Sequence, residues 1–248
     1  MIRNPIHKVL SSMRENGVKY LLMGGQACVL YGAAEFSRDT DFAVLADHGN
    51  LARLEGAVNA LWAQCIAVPP FEPKYLAMGL AVHFRCHHPD VEGMRIDVMS
   101  NMRGVDPFEE LWSRRTTFQL EEDSIEVLSL PDLVRAKKTQ RDKDWPMLSR
   151  LVEVNYFNNR RQPTPQQVDF WLRELRTPVL LREVARRFPD QCSRLISARP
   201  LLRLVEDESE RLVDALSAEE AQERERDRRY WDPLRQELQR LRHGRREG

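Results

Sequence analysis

The 248 residues carry 38 Lys plus Arg and 38 Asp plus Glu, so the formal net charge is zero. That balance excludes a globally basic surface of the kind that coats nucleic acid, while leaving room for a local basic groove. Hydrophobic residues make up 42% of the chain, enough for a packed core, and the length suits one large domain or a core with an accessory part. No apolar stretch has the length of a membrane span, and the opening residues lack the apolar run and small-residue cleavage site of a signal peptide. A cytoplasmic protein without a membrane partner is expected. Cys28, Cys65, Cys86 and Cys192 lie far apart, form no CxxC pair and are expected as free thiols.

In chain order, Pro5–Glu15 reads as a helix stopped by Asn16-Gly17. Val18–Met23 is a short apolar and partly aromatic run that predicts a buried strand, ended by Gly24-Gly25. The segment QACVLYG then predicts a short helix with Ala27, Val29 and Leu30 turned inward. DTDFAVLA, from Asp39, predicts a second strand, and DHGN a turn in which Asn50 caps the amphipathic helix LARLEGAVNALWAQ. After a proline-broken loop, LAVHFRCHH and MRIDVMSN flank PDVEG and predict a hairpin. The run His83–His88 has the composition of a metal site, but its alternating apolar neighbours predict a strand running into a turn. FQLEEDSIEVLSL adds further strand. From Pro131 the pattern is helical, broken at Pro163-Thr164-Pro165, which predicts domains of about residues 1–160 and 161–248. The last segment interleaves acids and arginines, as a solvated helix with i,i+4 pairs does. The expected class is therefore α/β (α+β), a core with a mixed sheet followed by a C-terminal helical region.

Asp39 and Asp41 stand one residue apart on a predicted strand, so both point to one face, with Cα atoms about 6.5–7 Å apart. Turns and edge strands carry such pairs by chance. Asp97 joins them from a second strand-like run whose apolar neighbours Met94, Ile96, Val98 and Met99 predict burial, and a buried acid requires a partner. Three carboxylates on neighbouring strands form the oxygen-rich set suited to Mg²⁺, which keeps waters and takes substrate phosphate as further ligands. Gly24-Gly25 lets backbone approach a phosphate, or simply allows a tight turn. Lys137 and Arg141, four apart on a predicted helix, could neutralise a triphosphate or form a solvated basic face.

Taken together, Gly24-Gly25-Gln26-Ala27, Tyr31-Gly32, Ser37-Arg38-Asp39-Thr40-Asp41-Phe42, Asp97 and the segment Leu133, Lys137, Arg141, Lys143-Asp144 resemble the nucleotidyltransferase superfamily. Its fold is that of DNA polymerase β, and the likeness is nearest to a bacterial group that includes abortive-infection (AbiEii-like) toxins. The resemblance spans roughly residues 18–150. It implies a polymerase-β-like core in which Asp39, Asp41 and Asp97 are catalytic and bind Mg²⁺, with Gly24, Gly25, Ser37, Lys137 and Arg141 on the nucleotide. The implied reaction moves a nucleoside monophosphate from a nucleoside triphosphate to an RNA end, a protein side chain or a small hydroxyl compound. Two alternatives stay open: a non-catalytic nucleotide-binding half of a toxin–antitoxin-like pair, and an interaction protein that meets a protein partner through its charged C-terminal helices.

Overall fold

A computed structural model of the protein describes residues 5–37, 39–120, 123–207 and 210–247. The order of elements is α1 (Pro5–Glu15), β1 (Tyr20–Met23), α2 (Gly24–Leu30), β2 (Asp39–Val44), α3 (His48–Ala60), β3 (Gln64–Cys65), α4 (Pro73–Ala77), β4 (Val82–Arg85), β5 (Arg95–Met99), α5 (Phe108–Ser113), β6 (Thr116–Leu120), β7 (Asp123–Val127) and α6 (Leu130–Ala136). There follow α7 (Asp144–Asn159), α8 (Pro165–Glu174), α9 (Pro178–Arg187), α10 (Pro189–Leu195) and α11 (Arg211–Glu247). The chain is a mixed α/β protein with a helical C-terminal region. Among the described residues no helix is long and apolar enough to cross a membrane.

The sheet has seven strands in the order β3-β4-β5-β2-β1-β7-β6. It is mixed: β2 runs parallel to β5 and β1 parallel to β7, while β1–β2, β3–β4, β4–β5 and β6–β7 are antiparallel. The hairpin expected around PDVEG forms between β4 and β5. By contrast, the extended run before Pro131 folds back on itself as the β6–β7 hairpin.

The described residues form two compact units, one of residues 5–136 with 230–247 and the other of residues 137–229. In the first unit, Val9, Leu10 and Met13 of α1 and Leu51, Leu54, Ala57 and Val58 of α3 are buried, and the Ser12 hydroxyl donates to the Ala57 carbonyl at 2.8 Å. Each large aliphatic side chain buried this way contributes roughly 1.5–3 kcal/mol. Two predictions fail here for local reasons. Asn50 does not cap α3: the Asp47 side chain does, accepting from the Asn50 N–H. Asn50 is buried and staples β1 to the end of β2, accepting from the Lys19 N–H at 2.7 Å and donating to the Lys19 and Leu45 carbonyls. In addition, α2 starts at Gly24 rather than after the glycines, which rotates its inward face to Ala27 and Cys28 and leaves Val29 and Leu30 half-buried.

The residues of α11 from Tyr230 onward belong to this first unit. Tyr230, Trp231, Leu238 and Leu241 pack on a buried cluster of Tyr75, Leu80 and Leu234. The charged C-terminal helix therefore has an apolar seam as well as the expected ladder of pairs such as Glu225–Arg229.

The second unit is built around the buried Trp171 and Leu148 of α8 and α7. At its centre lies Arg199, 4% exposed, whose guanidinium donates to the Leu172 and Leu175 carbonyls and pairs with Glu219. A buried charge survives only with its donors satisfied, and these are.

Candidate functional site

Strand alternation decides which acids share a face. In β2 the side chains of Thr40, Phe42 and Val44 are buried, whereas Asp39 is exposed and Asp41 half-buried. In β5 Ile96 and Val98 are buried, whereas Arg95, Asp97 and Met99 are half-buried. The apolar neighbours of Asp97 led to an expectation of burial. Instead Ile96 and Val98 fill the opposite face, and the Asp97 side chain keeps 16% exposure.

Register then assembles the cluster. Asp41 is the cross-strand partner of Asp97, and Asp39 of Arg95, in the parallel pair β2–β5. In the antiparallel pair β4–β5, His83 stands opposite Asp97 and Arg85 opposite Arg95. In β1–β2, Met23 stands opposite Asp41. One row across the sheet thus reads His83, Asp97, Asp41, Met23, and the next reads Arg85, Arg95, Asp39. The three acids predicted from sequence lie on one polar face of adjacent strands.

Asp97 is not alone there. Its Oδ1 accepts from Arg95 Nε at 2.7 Å and lies 2.8 Å from His83 Nδ1. Burial pushes the Asp97 carboxyl up, but the hydrogen bonds to His83 and Arg95, with their charges, outweigh it and hold the group below its usual range. Arg95 is pushed up in turn, first by its hydrogen bond to Asp97 and then by the fields of Asp97, Asp39 and Asp41 together. The Arg95 guanidinium thus lies in the field of all three carboxylates and in contact with Asp97. Among the described residues, no group of three His, Cys, Asp or Glu side chains stands ready to hold a metal ion. The three acids are nevertheless hard oxygen donors of the kind that divalent ions such as Mg²⁺ take.

The glycines serve these side chains directly. Gly24 has φ +65°, and a Cβ built on it would lie 1.9 Å from Asp41 Oδ2. Only glycine both adopts that backbone freely and leaves the carboxylate its space. A Cβ on Gly25 would lie 2.2 Å from Ser37 Oγ. Ser37 is tied in place, its hydroxyl donating to the Asp39 carbonyl at 3.1 Å and its own carbonyl accepting from Gln26 Nε2 at 2.9 Å. Gly24, Gly25, Ser37, Asp39 and Asp41 thus form one connected patch of the first unit.

Lys137 and Arg141 are placed differently from the prediction. They do not share a helix face, because α6 ends at Ala136 and the next helix begins at Asp144. Both stand against Asp144 in the second unit, Lys137 Nζ at 3.6 Å and Arg141 Nε at 2.7 Å. The helix breaks because side chains satisfy the segment between: the Gln140 N–H donates to Asp227, the Arg141 N–H to the Thr139 hydroxyl, and Trp145 Nε1 to the Thr139 carbonyl.

His83 and Arg95 escaped the sequence reading. A signal for Arg95 was present, since it lies two residues before Asp97 on the same strand and so on the same face. For His83 the signal was the hairpin register about PDVEG, which sets residue 83 opposite residue 97.

No protein-family model matches the chain, and no curated protein matches it. Its structure is similar to the crystal structure of an antigenic nucleotidyltransferase-like protein from Paracoccidioides brasiliensis, at 14% sequence identity and a TM-score of 0.40, covering 86% of this chain and 92% of that one. So loose a likeness carries no functional weight, and function has to be read from the residues.

Proposed function

We propose that the polar face of β2 and β5 is the active centre of a metal-dependent nucleotidyltransferase. The observation that carries this is the pairing of Asp41 with Asp97 across adjacent strands, with Asp39 on the same face and Gly24 bare against the Asp41 carboxylate. The proposed site is drawn from the first unit alone.

Asp39, Asp41 and Asp97 are the residues that would hold Mg²⁺, which when bound would neutralise triphosphate charge and make an acceptor hydroxyl more acidic. The chain's own contributions are distinct. Gly24 and Gly25 keep the β1–α2 turn clear of side chains, so a phosphate group can come close to backbone. The Ser37 hydroxyl, held above Gly25, can donate to a phosphate oxygen once it turns away from the Asp39 carbonyl. Asp97, held ionised by His83 and Arg95, would take the proton of the acceptor hydroxyl. The acceptor oxygen bonds to the α-phosphorus as the bond from that phosphorus to the bridging oxygen breaks. Pyrophosphate leaves with the electron pair, and the hydroxyl proton passes to the carboxylate. The acceptor classes are an RNA end, a protein side chain or a small hydroxyl compound, and a toxin-like role would follow from the first.

A second reading has one observation in its favour. Arg95 already neutralises part of the cluster, as it would in a nucleotide-binding module without turnover. Incubation with labelled nucleoside triphosphates and total cellular RNA and protein separates the two. The enzyme labels one acceptor pool and releases pyrophosphate with Mg²⁺ present, and the module binds nucleotide only. Asp39→Asn and Asp41→Asn are each expected to lower transfer by about a hundredfold or more while leaving the fold intact. Wild-type transfer in either variant sinks the assignment.

A further inference from the structure

The chain as a whole is neutral, yet residues 160–203 hold ten arginines and no lysine against four acids. Three of these arginines meet where α7 ends. Arg160 follows the last turn of α7, Arg161 is next to it, and Arg187, at the end of α9, donates to the Arg160 and Arg161 carbonyls. All three are exposed, and no carboxylate of the described residues forms an ion pair with any of them. Helix capping does not account for so much charge. The carbonyl end of a helix is equivalent to about half a negative charge, against three guanidiniums here. Arg187 spends two of its five N–H donors on the carbonyls and keeps the rest open. The surface continues along one face of α9, where Val179, Arg182, Glu183, Arg186 and Arg187 line an open hollow of about 530 Å³. Arg182 and Arg186 add less charge, since Arg182 donates to the Asp207 carbonyl and Arg186 stands 3.4 Å from Glu206.

Beside the three arginines lies an aromatic ring. Phe157 is 51% exposed, and its ring stands edge-on to the buried Tyr156 at 5.3 Å, which stands edge-on to the buried Trp171 at 5.1 Å. The Arg160 guanidinium lies 5.2 Å from the Phe157 centroid. A lone exposed aromatic needs no explanation. One fixed by buried rings and flanked by a guanidinium with no acid to answer it offers a stacking surface next to phosphate-binding forks. We infer that the end of α7 and the adjoining face of α9 bind single-stranded nucleic acid, with Arg160, Arg161 and Arg187 on backbone phosphates and an unstacked base on Phe157. The planar fork of arginine matches phosphate oxygens better than lysine does. An acidic peptide would answer the charges but would leave Phe157 without a flat partner, and a duplex keeps its bases in the stack. This surface belongs to the second unit and does not depend on the reading of the acids.

Fluorescence anisotropy of the full chain with labelled oligouridine and oligothymidine, each roughly twelve nucleotides long, tests this over a range of salt. A duplex of the same length and polyglutamate serve as competitors. Both single strands are expected to bind, with log affinity falling against log salt at a slope of about −2, as three phosphate contacts require. Arg160→Gln with Arg161→Gln is expected to weaken binding about tenfold or more and to flatten the slope by about 1.4, whereas the paired lysine substitutions keep the slope. Phe157→Ala is expected to weaken binding about tenfold with the slope unchanged. Arg161→Gln alone, whose side chain makes no hydrogen bond or ion pair among the described residues, gives the same test if the pair does not fold. No binding of either strand, or binding that the glutamine variants leave unchanged, overturns the inference. Duplex competing as well as single strand, with Phe157→Ala silent, overturns the stacking contact. Polyglutamate competing as well as unlabelled strand at equal charge overturns nucleic acid in favour of an acidic protein.

Discussion

Two carboxylates in this molecule are clamped in nearly the same way, to opposite effect. Asp97 in the sheet is held by Arg95 and His83, and Asp144 at the start of α7 by Arg141, Lys137 and the Thr139 hydroxyl. Around Asp144 positive charge is in excess, its side chain is 5% exposed, and its contacts stitch a loop to a helix. Around Asp97 two further acids, Asp39 and Asp41, share the face, and its side chain keeps 16% exposure. An ion pair with its charge closed is a structural knot. One with further acids beside it and partial access to water has the character of a functional site.

The largest effect that could break this contrast comes from neutralising each acid in turn. Asp97→Asn is expected to lower nucleotide transfer by about a hundredfold or more and to leave stability within about 1 kcal/mol of wild type, because its contacts with Arg95 and His83 are partly screened by water and repulsion from Asp39 and Asp41 is relieved. Asp144→Ala is expected to do the reverse. It removes the partner of Lys137, which is 12% exposed, and of Thr139, at a cost of about 2–3 kcal/mol. Urea denaturation paired with a transfer assay reads both. An unstable Asp97→Asn beside an unaffected Asp144→Ala would show that the two clamps had been assigned the wrong way round.

A smaller effect sharpens the placing of the site at Gly24. Gly24→Ala puts a methyl group where the Asp41 carboxylate stands, on a backbone of φ +65°. Gly93→Ala is the matched control, with φ +76° and nothing within 4 Å of the new atom. Both carry a backbone cost of about 1 kcal/mol. Only Gly24→Ala is expected to weaken Mn²⁺ binding as well. Equal metal affinity in the two variants would mean that Asp41 is not a ligand.

How much of this was legible in the sequence follows from which contacts are local. Helix α1, the β4–β5 hairpin and the face shared by Asp39 and Asp41 are set by periodicity and turn residues within a few positions, and they were readable. The wrong Asn50 cap and the misjudged inward face of α2 share a cause. Competing local residues, Asp47 and the two glycines, offered an alternative that only packing decides. The placement of Lys137 and Arg141 was hidden for a different reason. Helical spacing was extended through a segment whose backbone is satisfied by Asp227 and by its own Thr139. His83 required a register that connects residues 14 apart, and Arg95 required only the alternation already in use for the acids.

The smallest effect concerns acid stability, where both clamped carboxylates push the same way. Burial pushes the Asp144 carboxyl up, but the Thr139 hydroxyl and the charges of Lys137 and Arg141 outweigh it and hold the group below the ordinary value of 3.8. Asp97 is held below the same value, with burial opposed by His83 and Arg95. A depressed folded-state value means that the unfolded chain takes up the proton first. The stability contributed is then fully present above the unfolded value and is lost as pH falls through the folded one. The window lies below about pH 4. Asp144→Asn is therefore expected to flatten the decline in urea stability between about pH 5 and about pH 3, because that decline is partly its own protonation. Asp97→Asn should flatten it less, since its clamp is better screened by water and its protonation also relieves repulsion from Asp39 and Asp41. A larger flattening in Asp97→Asn would mean that the sheet cluster stabilises the fold more than the loop does.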